Sequence, residues 1–238
     1  MFTKSARFYD ALYHFKDYAE ASERLREIIE KYNPEAKILL DTACGTGKHI
    51  EHLKKYYDAE GLDLNDELLE IARKRCPQNI FHSADMTDFK LNKKYDVVTC
   101  LFSSIAYVKS EEKLLSAITC MTDHLKPNGV LIIEPWFNKE TFWTNHITSN
   151  HFDEDDMKIT WMYRSERKND LSILDINYLV GTANEVSYFT EKHELGLFDD
   201  TQYRGAFEAS GLTVDYDKEG LFGRGMYIGV SKIEKGIE

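Results

Sequence analysis

The stretch Asp41-Thr-Ala-Cys-Gly45-Thr-Gly47 decides the fold, because it joins a short apolar run at residues 36–41 to an amphipathic stretch at residues 48–57. Its glycines permit a tight turn and a close approach of the backbone to a ligand. A buried strand, a glycine-rich turn and a helix, in this order, are typical of nucleotide-binding α/β folds. The stretch therefore predicts a ligand site at the end of the first strand.

Two common nucleotide motifs do not fit this turn. A dinucleotide-binding fingerprint needs a third small residue where this chain has Ile50, so the turn argues against NAD and a dehydrogenase. A P-loop needs Ser or Thr after its lysine, and His49 follows Lys48. ATP hydrolysis is therefore also disfavoured.

Apolar runs and amphipathic stretches continue to alternate after the turn, following a helical pattern over the first 33 residues. We predict strands at 36–41, 59–64, 80–81, 95–101 and 130–134, with helices at 48–57, 67–75 and 111–125. Such alternation predicts a parallel sheet with helices on both faces.

The pattern changes after Pro135. Three strand-like runs follow without a helix between them, at 159–167, 173–181 and 185–194. Their partial period of two predicts a half-exposed antiparallel sheet. A helix at 201–209 and strands at 212–216 and 226–231 then return. We therefore predict an α/β, Rossmann-like fold with a three-stranded antiparallel insertion, divided into 1–135, 136–195 and 196–238.

Composition excludes several classes of function. The 238 residues carry a formal net charge of −11, whereas nonspecific nucleic-acid or anionic-membrane binding needs a basic surface. No apolar run approaches the ~18 residues of a membrane span, and the N-terminus lacks the apolar core of a signal peptide. The four cysteines are widely spaced, which argues against zinc motifs and a disulfide framework. We expect a cytoplasmic protein.

Two further strand ends carry acidic residues. Asp63 ends the second strand, where a carboxylate can accept hydrogen bonds from a ribose diol. Asp85 and Met86 follow the third strand, where a carboxylate and an apolar side chain suit an adenine. Either aspartate alone is equally well explained as a helix cap or a solvated loop residue. Together with the glycine turn they predict a nucleoside site.

The motifs DTACGTG, GLDL and SADMTDF resemble those of class I S-adenosylmethionine-dependent methyltransferases. FYDALYHFKDYAE, FSSIAYVKS, DHLKPNG, EPWF and GRGMYIGV resemble, more narrowly, the nucleotide-linked aminosugar N-methyltransferases of the desosamine and mycaminose type. The resemblance implies a class I methyltransferase sheet and S-adenosylmethionine as the methyl donor. It also implies a helical lid and donor-binding core in 1–135, an acceptor-binding and dimer insertion in 136–195, and completion of the core in 196–238.

The same resemblance implies a set of donor-binding residues. Three positions of the glycine turn would lie along the methionine moiety, Leu101 would back the sulfonium, and Tyr18 would act as a lid residue. The full set is Tyr18, Ala43, Gly45, Gly47, Asp63, Asp85, Met86 and Leu101. Tyr18 is also explained as a core aromatic residue.

Methyl transfer to an amine needs an unprotonated nitrogen, so a base with a pKa near neutrality would help. His124, in DHLKPNG, matches the histidine of the resembled family, and Tyr13 matches a tyrosine placed beside the acceptor amine. We name both as catalytic candidates. His124 is alternatively a charge at a helix C-terminus, and Tyr13 a core aromatic residue.

An anionic nucleotide-sugar needs positive and aromatic partners. The candidate acceptor-binding residues are Tyr13, Trp136, Ser165, Arg167 and Arg224. No metal is expected, since His49 and His52 have helical spacing but no third ligand. The inserted sheet and the resemblance both favour a homodimer.

The sequence therefore predicts N-methylation of a nucleotide-linked amino sugar by in-line displacement. Two alternatives stay open: methylation of another small amine or hydroxyl metabolite, and a noncatalytic module that only binds S-adenosylmethionine.

Overall fold

A central sheet organises the chain, of which the computed structural model describes residues 4–231. Its strands lie in the order β10-β11-β5-β4-β1-β2-β3. Strands β1 to β5 run parallel to one another, whereas β11 is antiparallel to both β5 and β10. Their bounds are β1 Ile38–Thr42, β2 Asp58–Asp63, β3 Phe81–Ser83, β4 Tyr95–Cys100, β5 Leu125–Ile133, β10 Leu212–Asp217 and β11 Met226–Ser231.

Helices cover both faces of this sheet, as predicted. Their bounds are α1 Tyr9–Leu12, α2 Tyr18–Tyr32, α3 Lys48–Leu53, α4 Asp66–Arg75, α5 Glu111–Thr122 and α6 Asp200–Ala209, with 3-10 helices at Ala6–Phe8 and Ser104–Val108. Apolar residues of α5 and α6 pack on one face, and those of α2, α3 and α4 pack on the other. No helix within residues 4–231 has the length and apolar character needed to cross a bilayer.

The N-terminal helical pattern is broken in the structure. Residues 13–17 separate α1 from α2, and the Asp17 side chain starts α2 by accepting a hydrogen bond from the Glu20 amide. An acidic residue at this position satisfies an amide that the helix itself leaves unpaired. The break leaves Tyr13 and Lys16 outside any helix.

A second, antiparallel sheet forms the insertion, and it has four strands rather than the predicted three. Its strands pair in chain order, with bounds β6 Ile147–Glu154, β7 Met157–Lys168, β8 Leu171–Thr182 and β9 Val186–Gly196. The additional strand β6 lies at the edge of the sheet, and most of its residues are exposed. Because neither of its faces is fully buried, its sequence lacks the apolar alternation that identifies a strand.

The turn after β1 has an unusual backbone. Ala43, Gly45 and Gly47 have φ angles of 55°, 56° and 73°. Glycine adopts this left-handed region without steric cost. At Gly47 there is also little room, because a Cβ would lie 3.2 Å from the Cβ of Ala72 on α4.

Candidate active site

The site lies where the parallel strands end. The carboxyl ends of β1, β2, β4 and β5 meet at one edge of the sheet, which is where ligands bind in open α/β sheets. The glycine turn, Asp63 and the segment after β4 all lie at this edge. Two cavities open there.

Asp63 anchors the first cavity. Its Oδ2 accepts a hydrogen bond from the Gly45 amide at 2.8 Å, and its Oδ1 accepts one from the Asn65 amide at 2.8 Å. Burial raises the pKa of Asp63, while these backbone donors act in the opposite direction. A carboxylate has about four lone-pair sites, and the amides of Gly45, Leu64 and Asn65 already interact with this one, so a site remains for a ligand hydroxyl. The side chain can therefore bind a diol that enters the cavity.

The cavity beside Asp63, called the donor cavity here, has a volume of about 130 Å³. Five of the eight predicted donor-binding residues line it: Ala43, Gly45, Asp63, Asp85 and Met86. Apolar walls beside paired carboxylates suit a nucleoside, so these residues fit the predicted donor.

The other three predicted donor residues do not line this cavity. Gly47 caps α3 and packs closely on α4, and Leu101 is buried in the core behind β4. The Tyr18 ring packs edge-on against His49 at 5.1 Å, and its phenol is hydrogen-bonded to the side chain of Tyr9. Tyr18 thus contacts Tyr9, which does line the cavity.

A second cavity of about 840 Å³, called the acceptor cavity here, lies between the N-terminal segment, the ends of β4 and β5, and the inserted sheet. Three of the residues predicted to bind the acceptor line it: Tyr13, Trp136 and Arg224. The Tyr13 ring contacts Phe102 edge-on at 4.9 Å, and burial raises the pKa of its phenol. Tyr13 is therefore protonated at neutral pH and interacts through hydrogen bonds rather than as an anionic base.

Ser165 and Arg167 are not brought to the acceptor cavity. The Ser165 hydroxyl is buried and donates to the Trp143 carbonyl at 2.8 Å, so it fixes the loop before β6. Arg167 lies on the surface and donates to the Lys139 carbonyl at 3.1 Å. The loose match of the insertion to the resembled family had placed them at the acceptor, and the geometry corrects this assignment.

His124 is also remote from both cavities. It immediately precedes β5 and therefore lies at the amino edge of the sheet, whereas the site lies at the carboxyl edge. β5 is bulged, and it pairs with β4 from Leu125 opposite Tyr95 to Ile133 opposite Cys100, so the two edges lie roughly 17 Å apart at the usual rise per residue. Its Nδ1 lies 2.8 Å from the Cys120 carbonyl, and its Nε2 accepts from the Leu91 amide at 3.0 Å. His124 closes α5 and cannot serve as the base.

A buried carboxylate that the sequence reasoning missed lies at the end of β5. Glu134 is 0% exposed, and its Oε2 accepts a hydrogen bond from the Phe102 amide at 2.6 Å. Its Oε1 is buried without a hydrogen bond to any residue in 4–231. Burial raises the pKa of Glu134, and the charges of Arg224 and Lys16 act against this shift. The sequence does contain a signal for this residue, because Glu134 ends the apolar run VLIIE and so lies at the carboxyl end of a predicted strand.

Two cations face Glu134. The Arg224 guanidinium lies over the Trp136 ring at 4.8 Å and donates to the Ser103 hydroxyl at 2.9 Å. The Lys16 ammonium lies 3.4 Å from the centre of the Phe222 ring and 3.8 Å from that of Phe102. Across the described part of the chain, Lys16 makes no ion pair within 4 Å. Burial lowers the pKa of Lys16 to about 8. Both cations are available to an anionic ligand.

No metal site accompanies these groups: no cluster of three or more His, Cys, Asp or Glu side chains in residues 4–231 could hold an ion. The buried His49 instead packs against Tyr18, with its Nδ1 3.3 Å from the Ser22 hydroxyl.

The fold and the site together define a nucleoside-binding α/β protein of the methyltransferase class. Residues 39–129 match the family model described as a methyltransferase domain. Over 229 residues the chain is 36% identical to the dTDP-3-amino-3,4,6-trideoxy-alpha-D-glucopyranose N,N-dimethyltransferase of Streptomyces venezuelae, covering 94% of this chain and 97% of that protein.

Solved structures agree with this relationship. The crystal structure of DesVI from Streptomyces venezuelae has a TM-score of 0.91 and 35% identity, covering 97% of this chain and 100% of that one. The S-adenosylmethionine-bound amino pentose methyltransferase CalS10 from Micromonospora echinaspora has a TM-score of 0.86 and 30% identity, covering 98% of each chain. The chain is an S-adenosylmethionine-dependent methyltransferase and belongs to the nucleotide-aminosugar N,N-dimethyltransferase family. The predicted fold class, enzyme class and methyl donor are confirmed, and a dehydrogenase is excluded.

Replacing the carboxylate of Asp63 tests the donor cavity. Asp63→Asn is expected to weaken binding of S-adenosylhomocysteine about 10- to 100-fold, because it removes charge-assisted hydrogen bonds to the ribose. Titration calorimetry measures this, and thermal unfolding checks that the variant is folded. Asp66→Asn, on the exposed start of α4, is the charge-matched control. Equal affinity of Asp63→Asn and wild type would contradict the assignment.

Proposed function

We propose that this enzyme transfers methyl groups to the amine of a nucleotide-linked amino sugar and that it forms the N,N-dimethylated product. The observation that carries this proposal is the pairing of the donor cavity with a larger cavity that contains both aromatic rings and two cations. Full-length relatives that are named for such a reaction support the acceptor class.

Ala43, Gly45, Asp63, Asp85 and Met86 would hold the donor. The donor supplies an electrophilic methyl group on a sulfonium, whose positive charge is lost as the nitrogen attacks. The chain contributes mainly position, because reacting atoms must be held aligned at about 3–3.5 Å.

Lys16 and Arg224 would bind the anionic diphosphate of the acceptor. The charge of Glu134 raises the pKa of both cations against the effect of their burial, so it helps to keep them protonated. The ring of Trp136 holds the Arg224 guanidinium in place, and its indole nitrogen donates to the Ser172 hydroxyl at 2.9 Å. Tyr13 completes the wall near Arg224. Ser165, Arg167 and His124 have no part in this proposal.

An assay with dTDP-linked amino sugars tests the reaction. We expect a dTDP-3-amino-deoxysugar to be converted to its dimethylamino form with release of two equivalents of S-adenosylhomocysteine, as measured by mass spectrometry. Turnover of small amines or hydroxyl metabolites in place of every amino sugar would favour the alternative acceptor classes. Binding of S-adenosylmethionine without turnover of any acceptor would favour a noncatalytic module.

The pH dependence of nucleotide binding tests the two cations. Lys16 is charged below about pH 8 and neutral above it, so affinity for dTDP is expected to fall as the pH rises from 7 to 9. Lys16→Met should bind dTDP about tenfold more weakly at pH 7 and show a flatter profile. Arg224→Ala should lose affinity at every pH in this range, because a guanidinium stays charged.

Calorimetry at three pH values provides this measurement, with Lys74→Met on the exposed face of α4 as the control. Unchanged affinity in both Lys16→Met and Arg224→Ala would point to a neutral or cationic acceptor instead of a nucleotide-sugar.

We also propose that the segment 136–195 serves as a dimer interface as well as an acceptor wall. Its sheet exposes large apolar side chains on several strands, and an apolar patch of this kind usually marks an interface. These residues are Ile147, Met162, Leu179, Val186 and Tyr188. Light scattering at micromolar concentration is expected to give twice the monomer mass of 27.7 kDa. A monomer at that concentration would rule out this dimer.

A further inference from the structure

The donor cavity and the acceptor cavity share three wall residues: Tyr9, Ser104 and Tyr107. A methyl group that moves between the two ligands has to pass this shared wall. Polar atoms on the wall are therefore among the protein groups closest to the reacting nitrogen. Tyr107 connects this wall to a buried histidine and a buried glutamate of the inserted sheet.

Tyr107 lies in the 3-10 helix that follows β4, and its phenol oxygen is 2.6 Å from Nδ1 of His193. His193 is on β9, is 2% exposed and lines the acceptor cavity. Nε2 of the same ring is 3.6 Å from the Glu191 carboxylate. The three side chains thus form a row that leads from the inserted sheet to the shared wall.

The direction of the hydrogen bond between Tyr107 and His193 follows from these neighbours. Burial lowers the pKa of His193, so the ring is neutral and carries one hydrogen. The Glu191 carboxylate favours that hydrogen on Nε2, because a carboxylate attracts the N–H dipole. Nδ1 is then an acceptor, and the Tyr107 hydroxyl donates to it.

The far end of the row is held by the N-terminal segment. The Ser5 amide donates to Oε1 of Glu191 at 3.1 Å, and the Ser5 hydroxyl donates to Oε2. Ser5 is completely buried. Glu191 accepts both bonds, which fixes it as the acceptor end of the row. The hydrogens on Tyr107 and His193 therefore both point toward Glu191 and away from the shared wall.

We propose that Tyr107 receives the acceptor amine. Its only hydrogen is committed to His193, so its oxygen presents lone pairs to the cavity and accepts a hydrogen bond from the nitrogen. This bond fixes the amine so that the nitrogen lone pair faces the donor cavity. His193 and Glu191 are positioning residues that keep the phenol in this orientation. The inference rests on the proposed aminosugar acceptor.

This arrangement also accounts for the end point of the reaction. Primary and secondary amines retain an N–H bond that Tyr107 can accept from, and each is therefore held for methylation. Each transfer first leaves an ammonium, which has to lose its proton to solvent before the nitrogen can attack again. After the second transfer and the loss of that proton, the tertiary amine has no N–H bond, so its contact with Tyr107 is lost. The dimethylated product is thereby released in preference to its precursors.

Binding experiments separate the amine contact from the nucleotide contact. With protein saturated by S-adenosylhomocysteine, Tyr107→Phe is expected to weaken binding of a dTDP-amino sugar about 10- to 100-fold and to leave the affinity for dTDP unchanged. Tyr56→Phe, whose exposed hydroxyl donates to Glu23 far from both cavities, is the matched control. Failure of wild type to bind dTDP would count against the proposed function itself. Normal dTDP binding with no loss of amino-sugar affinity in Tyr107→Phe would overturn only the role of Tyr107.

A double-mutant cycle tests the positioning residues. His193→Gln and Glu191→Gln should each lower kcat more than they raise KM, and adding either to Tyr107→Phe should cause little further loss. Fully additive losses would show that His193 and Glu191 act independently of Tyr107. Glu134→Gln tests the competing position for the amine. If Glu134→Gln loses its preference for the amino sugar over dTDP and Tyr107→Phe keeps that preference, the amine binds at Glu134 instead.

Discussion

In-line transfer requires the sulfonium of the donor and the nitrogen of the acceptor to lie close together and aligned. The donor cavity and the acceptor cavity therefore have to adjoin, and the arrangement of the molecule follows this constraint. The parallel strands bring the glycine turn, Asp63 and the segment after β4 to the same edge of the sheet. The inserted sheet and the N-terminal segment close the opposite side. Residues of the inserted sheet and of the N-terminal segment line the larger cavity together with the ends of β4 and β5, so neither part alone forms its wall.

Under the proposed function, the charges around the acceptor cavity determine which ligands bind there. The chain has a net charge of −11, which repels a nucleotide-sugar at long range. The lining of the cavity carries the cations Lys16, Arg24 and Arg224 and the carboxylates Asp17, Glu20 and Glu219, so it has no excess of positive charge. These three carboxylates are exposed, whereas Lys16 and Arg224 are partly buried beside Glu134. Interactions in a buried site are screened less than those at the surface, so under the proposed function these two cations contribute most to the binding of an anion. Aromatic rings beside both cations hold them without adding charge.

Sequence reasoning succeeded where the chemistry of a residue follows from its place in a strand-turn-helix unit. Ala43, Gly45, Asp63, Asp85 and Met86 were found because strand ends in such folds point to ligands, and these five line the donor cavity, whereas Gly47 of the same turn does not. Tyr13, Trp136 and Arg224 were found through family resemblance, and they line the acceptor cavity.

The errors have physical causes. His124 was chosen by its residue type and motif, but a residue before β5 lies at the wrong edge of the sheet. Ser165 and Arg167 lie on a strand whose contacts depend on how the inserted sheet docks, which local sequence does not determine. Lys16 and His193 act through partners distant in sequence, Phe222 and Tyr107, so no local pattern identifies them. Strand β6 was missed because an exposed edge strand needs no apolar face.

The most direct test of this account is a crystal structure with S-adenosylhomocysteine and a dTDP-amino sugar bound together. We predict that the amine nitrogen lies within hydrogen-bonding distance of the Tyr107 oxygen and faces the sulfur, with the diphosphate against Lys16 and Arg224. An amine nitrogen bound away from Tyr107, with the phenol still hydrogen-bonded to His193 alone, would contradict it.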